Sequence, residues 1–97
     1  MGFSIETLLE NYEFRTIREG EVEGNRWMHL VVEDDFSCDQ SRISVPANLR
    51  GVVSTMGLQK GDHIDVRVRV TASEKYNRLT LIKVLRVVDA DGEVTEF

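Results

Sequence analysis

The stretch from His63 to Thr71 constrains the fold more than any other. Ile64, Val66, Val68 and Val70 alternate without a break with His63, Asp65, Arg67, Arg69 and Thr71. A strand projects successive side chains to opposite sides, so four β-branched aliphatics share one face and the polar residues share the other. Side chains branched at Cβ are stiff and suit a pleated surface. One face therefore seeks a core, and the backbone seeks neighbouring strands.

Other segments have the same character. From Arg26 to Glu33, Met28, Leu30 and Val32 point one way and Trp27, His29 and Val31 the other; the first set is the predicted core face. Tyr12 to Glu23 reads as a strand with Tyr12, Phe14 and Thr16 on one face and Arg15 and Ile17 on the other. Gly20 inside it predicts a bulge or a bend, and Gly24-Asn25 a turn. Ser41 to Val45 is a short strand with Ile43 and Val45 inward. Pro46 then opens a helix, where its missing N–H costs nothing. Leu49, Val52, Val53 and Met56 form its apolar stripe and Gly57 ends it. Lys60-Gly61-Asp62 is a turn, and Arg78 to Val88 a long strand. That strand is apolar on both faces toward its end, which predicts cover on both sides or a bulge.

At the start, Ser4 is placed to cap a short helix from Ile5 to Glu10, anchored by Leu8 and Leu9 and ended by Asn11. Asp34 to Gln40 reads as a loop, with Phe36 a possible cover for one end of the barrel. The order strand, strand, strand, helix, strand, strand is that of the five-stranded Greek-key barrel known as the OB-fold. The expectation is an all-β fold with one or two short helices, in one domain of 97 residues. Residues 1–11 form a helical arm in this reading, residues 12–88 the barrel, and residues 89–97 an acidic tail or a terminal hairpin.

Charge is unevenly spread. Residues 1–40 hold three basic and ten acidic side chains, residues 41–88 nine basic and three acidic, and residues 89–97 four acidic and none basic. A basic middle is thus concealed in a chain of net charge −5. Such asymmetry suits an anionic ligand, although a mixed solvated surface has the same composition.

Most chemistries are excluded by what is missing. His29, His63 and Cys38 lack the spacing of metal ligands. Asp89-Ala90-Asp91-Gly92-Glu93 lacks the later ligands of a calcium loop. There is no glycine-rich phosphate loop and no nucleophile beside a base, so neither catalysis, nor a metal, nor a cofactor is expected. No apolar run is long enough to span a bilayer. Met1 to Asn11 lacks the basic start and apolar core of a secretory signal, and a single cysteine fits a reducing compartment, so a cytoplasmic location is expected.

What remains is basic residues interleaved with aromatics on strands. Arg67 and Arg69 share a face; Lys75 and Arg78 flank Tyr76; Trp27 follows Arg26; Arg42 lies on the third strand. Single-stranded nucleic acid is held by bases stacked on aromatics in a positive groove. Each residue also has a plainer role open to it: Trp27 in the core, Arg67 and Arg69 paired with Asp65 or Glu13.

From Lys60 to Val88 the chain reads Lys-Gly-Asp-His-Ile-Asp-Val-Arg-Val-Arg-Val, a polar stretch with Lys-Tyr-Asn-Arg, then Leu-Thr-Leu-Ile-Lys-Val-Leu-Arg-Val-Val. This resembles strands four and five of OB-fold single-stranded-DNA-binding proteins of the bacterial SSB and PriB type and of the small filamentous-phage type. The resemblance implies that Lys75, Tyr76 and Arg78 lie on a hairpin folded over the site and that Trp27 is a stacking aromatic. It also likens the acidic end and Phe97 to the tip through which such proteins recruit replication partners. The expected function is binding of single-stranded nucleic acid, DNA in the first place, in replication or transfer, by a homodimer or higher oligomer. An OB-fold subunit that binds only protein is the alternative.

Overall fold

The computed structural model describes residues 3–72 and 77–97. β1 (Phe3–Val22), β2 (Asn25–Asp34) and β3 (Gln40–Ser44) precede the helix α1 (Ala47–Thr55). β4 (His63–Ala72), β5 (Asn77–Val88) and β6 (Val94–Glu96) follow it. Neighbouring strands run β3-β2-β1-β4-β5-β6, and a parallel pairing of β3 with β5 at Ile43–Leu79 and Ser44–Thr80 closes a ring of five. With the helix between β3 and β4, this is the OB-type barrel.

β1 serves both halves of the ring. Its first part, Phe3 to Leu9, pairs with β4, and Tyr12 to Val22 pairs with β2. The expected helical arm is therefore strand. Phe3, Ile5, Thr7 and Leu9 also alternate, and pairing with β4 satisfies the backbone groups along one edge of the segment, whereas one and a half turns of helix without a partner are marginal. Asn11, expected to end the helix, marks a register slip between Leu9 and Tyr12 instead. It takes a left-handed φ of 58°, and its N–H donates to Asp65 Oδ1 at 2.7 Å.

A second slip lies between Phe14 and Thr16. The extra residue, Arg15, inverts the phase that follows, so Ile17 rather than Thr16 packs on the core beside Phe14. Gly20, expected at a bend, lies in unbroken register opposite Trp27.

Two slips on β5 explain its double apolar pattern. Asp65 faces Arg86 while Val66 faces Val84, and Arg67 faces Lys83 while Val68 faces Leu81. Leu85 and Ile82 are the extra residues, so Leu79, Leu81, Val84 and Val87 all turn inward despite their uneven spacing. They meet Met28, Leu30, Val32, Ile43, Ile64, Val66 and Val68, with Val53 of α1 plugging the core. Each fully buried aliphatic contributes about 1.5–3 kcal/mol. Pro46 is the N-cap of α1, and Gly57 beyond its end has φ +67°.

The chain ends in a hairpin, not a free tail. Asp89 Oδ1 accepts the N–H groups of Asp91 and Glu93, both at 2.9 Å, and Gly92 turns with φ +82°. β6 then pairs with β5, and the Phe97 N–H donates to the Leu85 carbonyl at 3.0 Å.

Candidate functional site

The site begins with the parity of β2. Met28, Leu30 and Val32 are buried in the barrel, which sends Trp27 and His29 to its outer face, each half-buried. Gly20 is what lets the indole lie down. A Cβ there would stand 2.7 Å from Trp27 Cζ2 and 2.9 Å from Cε2 and Nε1, so the ring rests across bare backbone of β1. Trp27 is thus a surface platform rather than a core residue. The His29 ring follows it, with centroids 5.0 Å apart and planes tilted by 40°.

A cleft opens on each side of this pair of rings. The first, about 470 Å³, lies between the β1–β2 hairpin and α1. Arg26 and Trp27 line it from β2, Arg50 and Gly51 from the helix, and Glu19 and Glu21 from β1. Arg50 Nε donates to the Val45 carbonyl at 3.3 Å, which steadies its side chain.

The second cleft, about 500 Å³, has His29, Arg42 and Ser44 on one wall and Asn77 and Arg78 on the other, with Val70 and Leu79 also lining it. No described residue lining it is a carboxylate. The His29 imidazole is held below its ordinary pKa, first by burial and then by the fields of Arg42 and Arg78. The same positive field that repels a proton attracts an anion. Together the clefts and the ring pair present guanidinium groups and aromatic faces along one surface, a chemistry suited to a ligand that is both anionic and planar.

Of the residues singled out in the sequence, Arg26 and Trp27 meet in the first cleft, and Arg42 and Arg78 in the second. Arg67 and Arg69 line neither. They stand exposed on the outer face of β4, with Leu8 and Glu6 opposite on β1 and Lys83 and Thr80 on β5. Among the described residues they form no ion pair with Asp65 or Glu13; the partners of Glu13 include Arg15 at 3.3 Å. Lys75 and Tyr76 lie outside the described residues. Phe97 is no free tip: it lines a small apolar cavity of about 110 Å³ with Leu49, Val53 and Val84.

Sequence reasoning missed Arg50 and left His29 without a role. The helical spacing held the first signal: if Leu49 and Val53 face the barrel, Arg50 and Ser54 share another face, and both line the first cleft. Phe36, considered as a cover for the barrel end, is 100% exposed and covers nothing.

Among the described residues no group of three or more His, Cys, Asp or Glu side chains could hold a metal. His63 Nε2 and Asp35 Oδ2, 2.7 Å apart, tie the β2–β3 loop to β4 as a pair only. No described helix is long and apolar enough to cross a membrane. No family model, no curated protein and no solved structure matches the chain, so the character of the site rests on its own residues.

Proposed function

We propose that this protein binds single-stranded nucleic acid, single-stranded DNA in the first place, and does so without catalysis. The observation that carries this reading is the second cleft: Arg42 and Arg78 converge on His29 with no described carboxylate lining the space. Trp27 touches His29 and connects this cleft to a further pair of guanidiniums, Arg26 and Arg50. Arginines take phosphates, and the rings take bases at about 1–3 kcal/mol per stacked base. Lys75, Tyr76, Arg67 and Arg69 are proposed as additional contacts, the last two for a strand that wraps past the clefts onto β4.

The setting this implies is replication or transfer of DNA in a reducing cytoplasm. The terminal hairpin, with Val94 and Phe97 half-exposed beside four carboxylates, is the surface proposed to meet other replication proteins. We also propose a homodimer. β5 has β4 along one edge and β3 and β6 on parts of the other, whereas Phe3–Leu9 of β1 has a described partner on one side only. A bare edge is a template for pairing. Sedimentation at micromolar concentration tests it.

A protein-binding subunit is the second reading, favoured by the fully exposed Phe36 among Asp34, Asp35 and Asp39. A mobility shift with single-stranded DNA, duplex DNA and RNA separates the two. Retardation of the single strands supports nucleic-acid binding, and none with any of the three leaves the protein partner.

A further inference from the structure

Beyond the Ile43–Leu79 pairing that closes the barrel, β1, β4 and β5 continue as a three-stranded flap. Leu79 stands opposite Val70, and Val70 opposite Ile5; Ala72 likewise stands between Asn77 and Phe3. Residues directly opposite in antiparallel strands project to the same side. Val70 and Leu79 line the cleft of His29, Arg42 and Arg78, so Ile5 and Phe3 lie on the cleft side of the flap.

This row is apolar and open. Val68 is fully buried, but Ile5 is 55% and Phe3 61% exposed. The face is also free of described carboxylates: Glu6, the residue after Ile5, projects to the opposite side, across from Arg69. In a segment as acidic as this one, a carboxylate-free apolar face continuous with a positive cleft is suited to the bases of an anionic polymer. A solvated flap would carry polar residues there.

We propose that the inner face of the flap extends the binding surface and that Phe3 stacks a base of the strand held in the second cleft. This rests on the nucleic-acid reading above. Adjacent strands lie about 4.8 Å apart and a strand rises about 3.4 Å per residue, so Phe3 is roughly 12 Å from Leu79. Stacked nucleotides advance about 3.4 Å each, so the strand reaches Phe3 about three to four nucleotides beyond the cleft, or fewer if stretched.

The test is a titration with oligo(dT) from about 4 to about 16 nucleotides, the range of OB-fold site sizes. It compares wild type with Phe3→Ala, Phe3→Leu and Phe3→Trp. Short oligonucleotides should bind all four proteins alike. Long ones should bind Phe3→Ala and Phe3→Leu roughly 5- to 150-fold more weakly than wild type, while Phe3→Trp keeps its affinity. The leucine variant retains an apolar strand end, so a folded protein without the ring is available even if alanine disturbs the flap. Equal affinity of the folded variants at every length overturns the proposal and leaves the function standing. Loss of self-association with unchanged affinity per chain assigns Phe3 to a second copy and also overturns it. No binding by wild type at any length removes the function and this inference together.

Discussion

Gly20 carries a sharp consequence. Replacing it with alanine puts a methyl group 2.7 Å from Trp27 Cζ2, closer than two carbons can approach. The backbone is paired on β2 at this point, so the indole is what must move. Overpacking of this kind costs about 1–3 kcal/mol, and the half-exposed ring can swing outward, which favours the lower part of that range. In a domain of this size, each 1 kcal/mol lowers Tm by roughly 4–8 °C. Gly51 supplies the contrast. It lies in α1, without a left-handed φ and with nothing within 4 Å of the position a Cβ would take. Alanine there should stabilise the protein by about 0.4–1 kcal/mol through the unfolded chain and helix propensity.

The assay is thermal unfolding of both variants followed by far-UV circular dichroism, with Trp27 emission recorded on the folded proteins. Gly20→Ala should melt lower and alter the emission of this only tryptophan; Gly51→Ala should melt higher with the emission unchanged. Equal melting temperatures and identical spectra for Gly20→Ala and wild type would show that the indole does not rest on Gly20 and that the platform is misplaced.

Replacing both Arg42 and Arg78 with alanine should weaken binding of single-stranded DNA and lower the salt slope by about 1.4, whereas replacing Arg67 and Arg69 should do less; the reverse ranking would move the site to β4. His29 titrates below its ordinary value of 6.5 in the folded chain, so the unfolded chain binds more protons as pH falls through that value. Urea unfolding should therefore show stability falling with pH there, to a smaller extent in His29→Gln, and no difference between the two would remove the cleft's field from His29. A phosphate in the cleft raises the imidazole pKa again, so DNA affinity should rise over the same fall in pH by uptake of at most one proton. Deleting Glu93 to Phe97 removes β6 and the half-buried Phe97, and should cost about 1 kcal/mol, a fall of roughly 4–8 °C in Tm. An unchanged Tm with tighter DNA binding at low salt would instead describe a loose acidic tail.

The barrel was legible where one period dominated. The alternation from Ile64 to Val70 and the Met28, Leu30, Val32 face all proved to be core or its margin. Bulges change phase without a distinctive residue. Arg15 moved Ile17 inward against the expected alternation, whereas on β5 the apolar pattern on both faces did signal the bulges at Ile82 and Leu85. Leu8 and Leu9 look like helix anchors locally, yet it is the partner β4, nearly sixty residues away in sequence, that decides their conformation. The site was half legible. Arg26 reaches its cleft from the exposed start of β2, and Trp27, Arg42 and Arg78 sit in clefts because strand parity sends them outward. That parity does not say which outer face a strand contributes, so Arg67 and Arg69 on β4 looked equivalent to them. The role of Gly20 depends on the register that sets it opposite Trp27, which no local pattern reveals.

The most direct measurement follows Trp27 emission during titration with oligo(dT) at several salt concentrations. The expected result is quenching on binding, with the logarithm of the association constant falling linearly against the logarithm of salt. For four arginines on phosphates, Arg26, Arg42, Arg50 and Arg78, the slope should be roughly −3. Binding whose strength ignores salt, or an emission that ignores DNA which demonstrably binds, would place the ligand away from the Trp27–His29 surface.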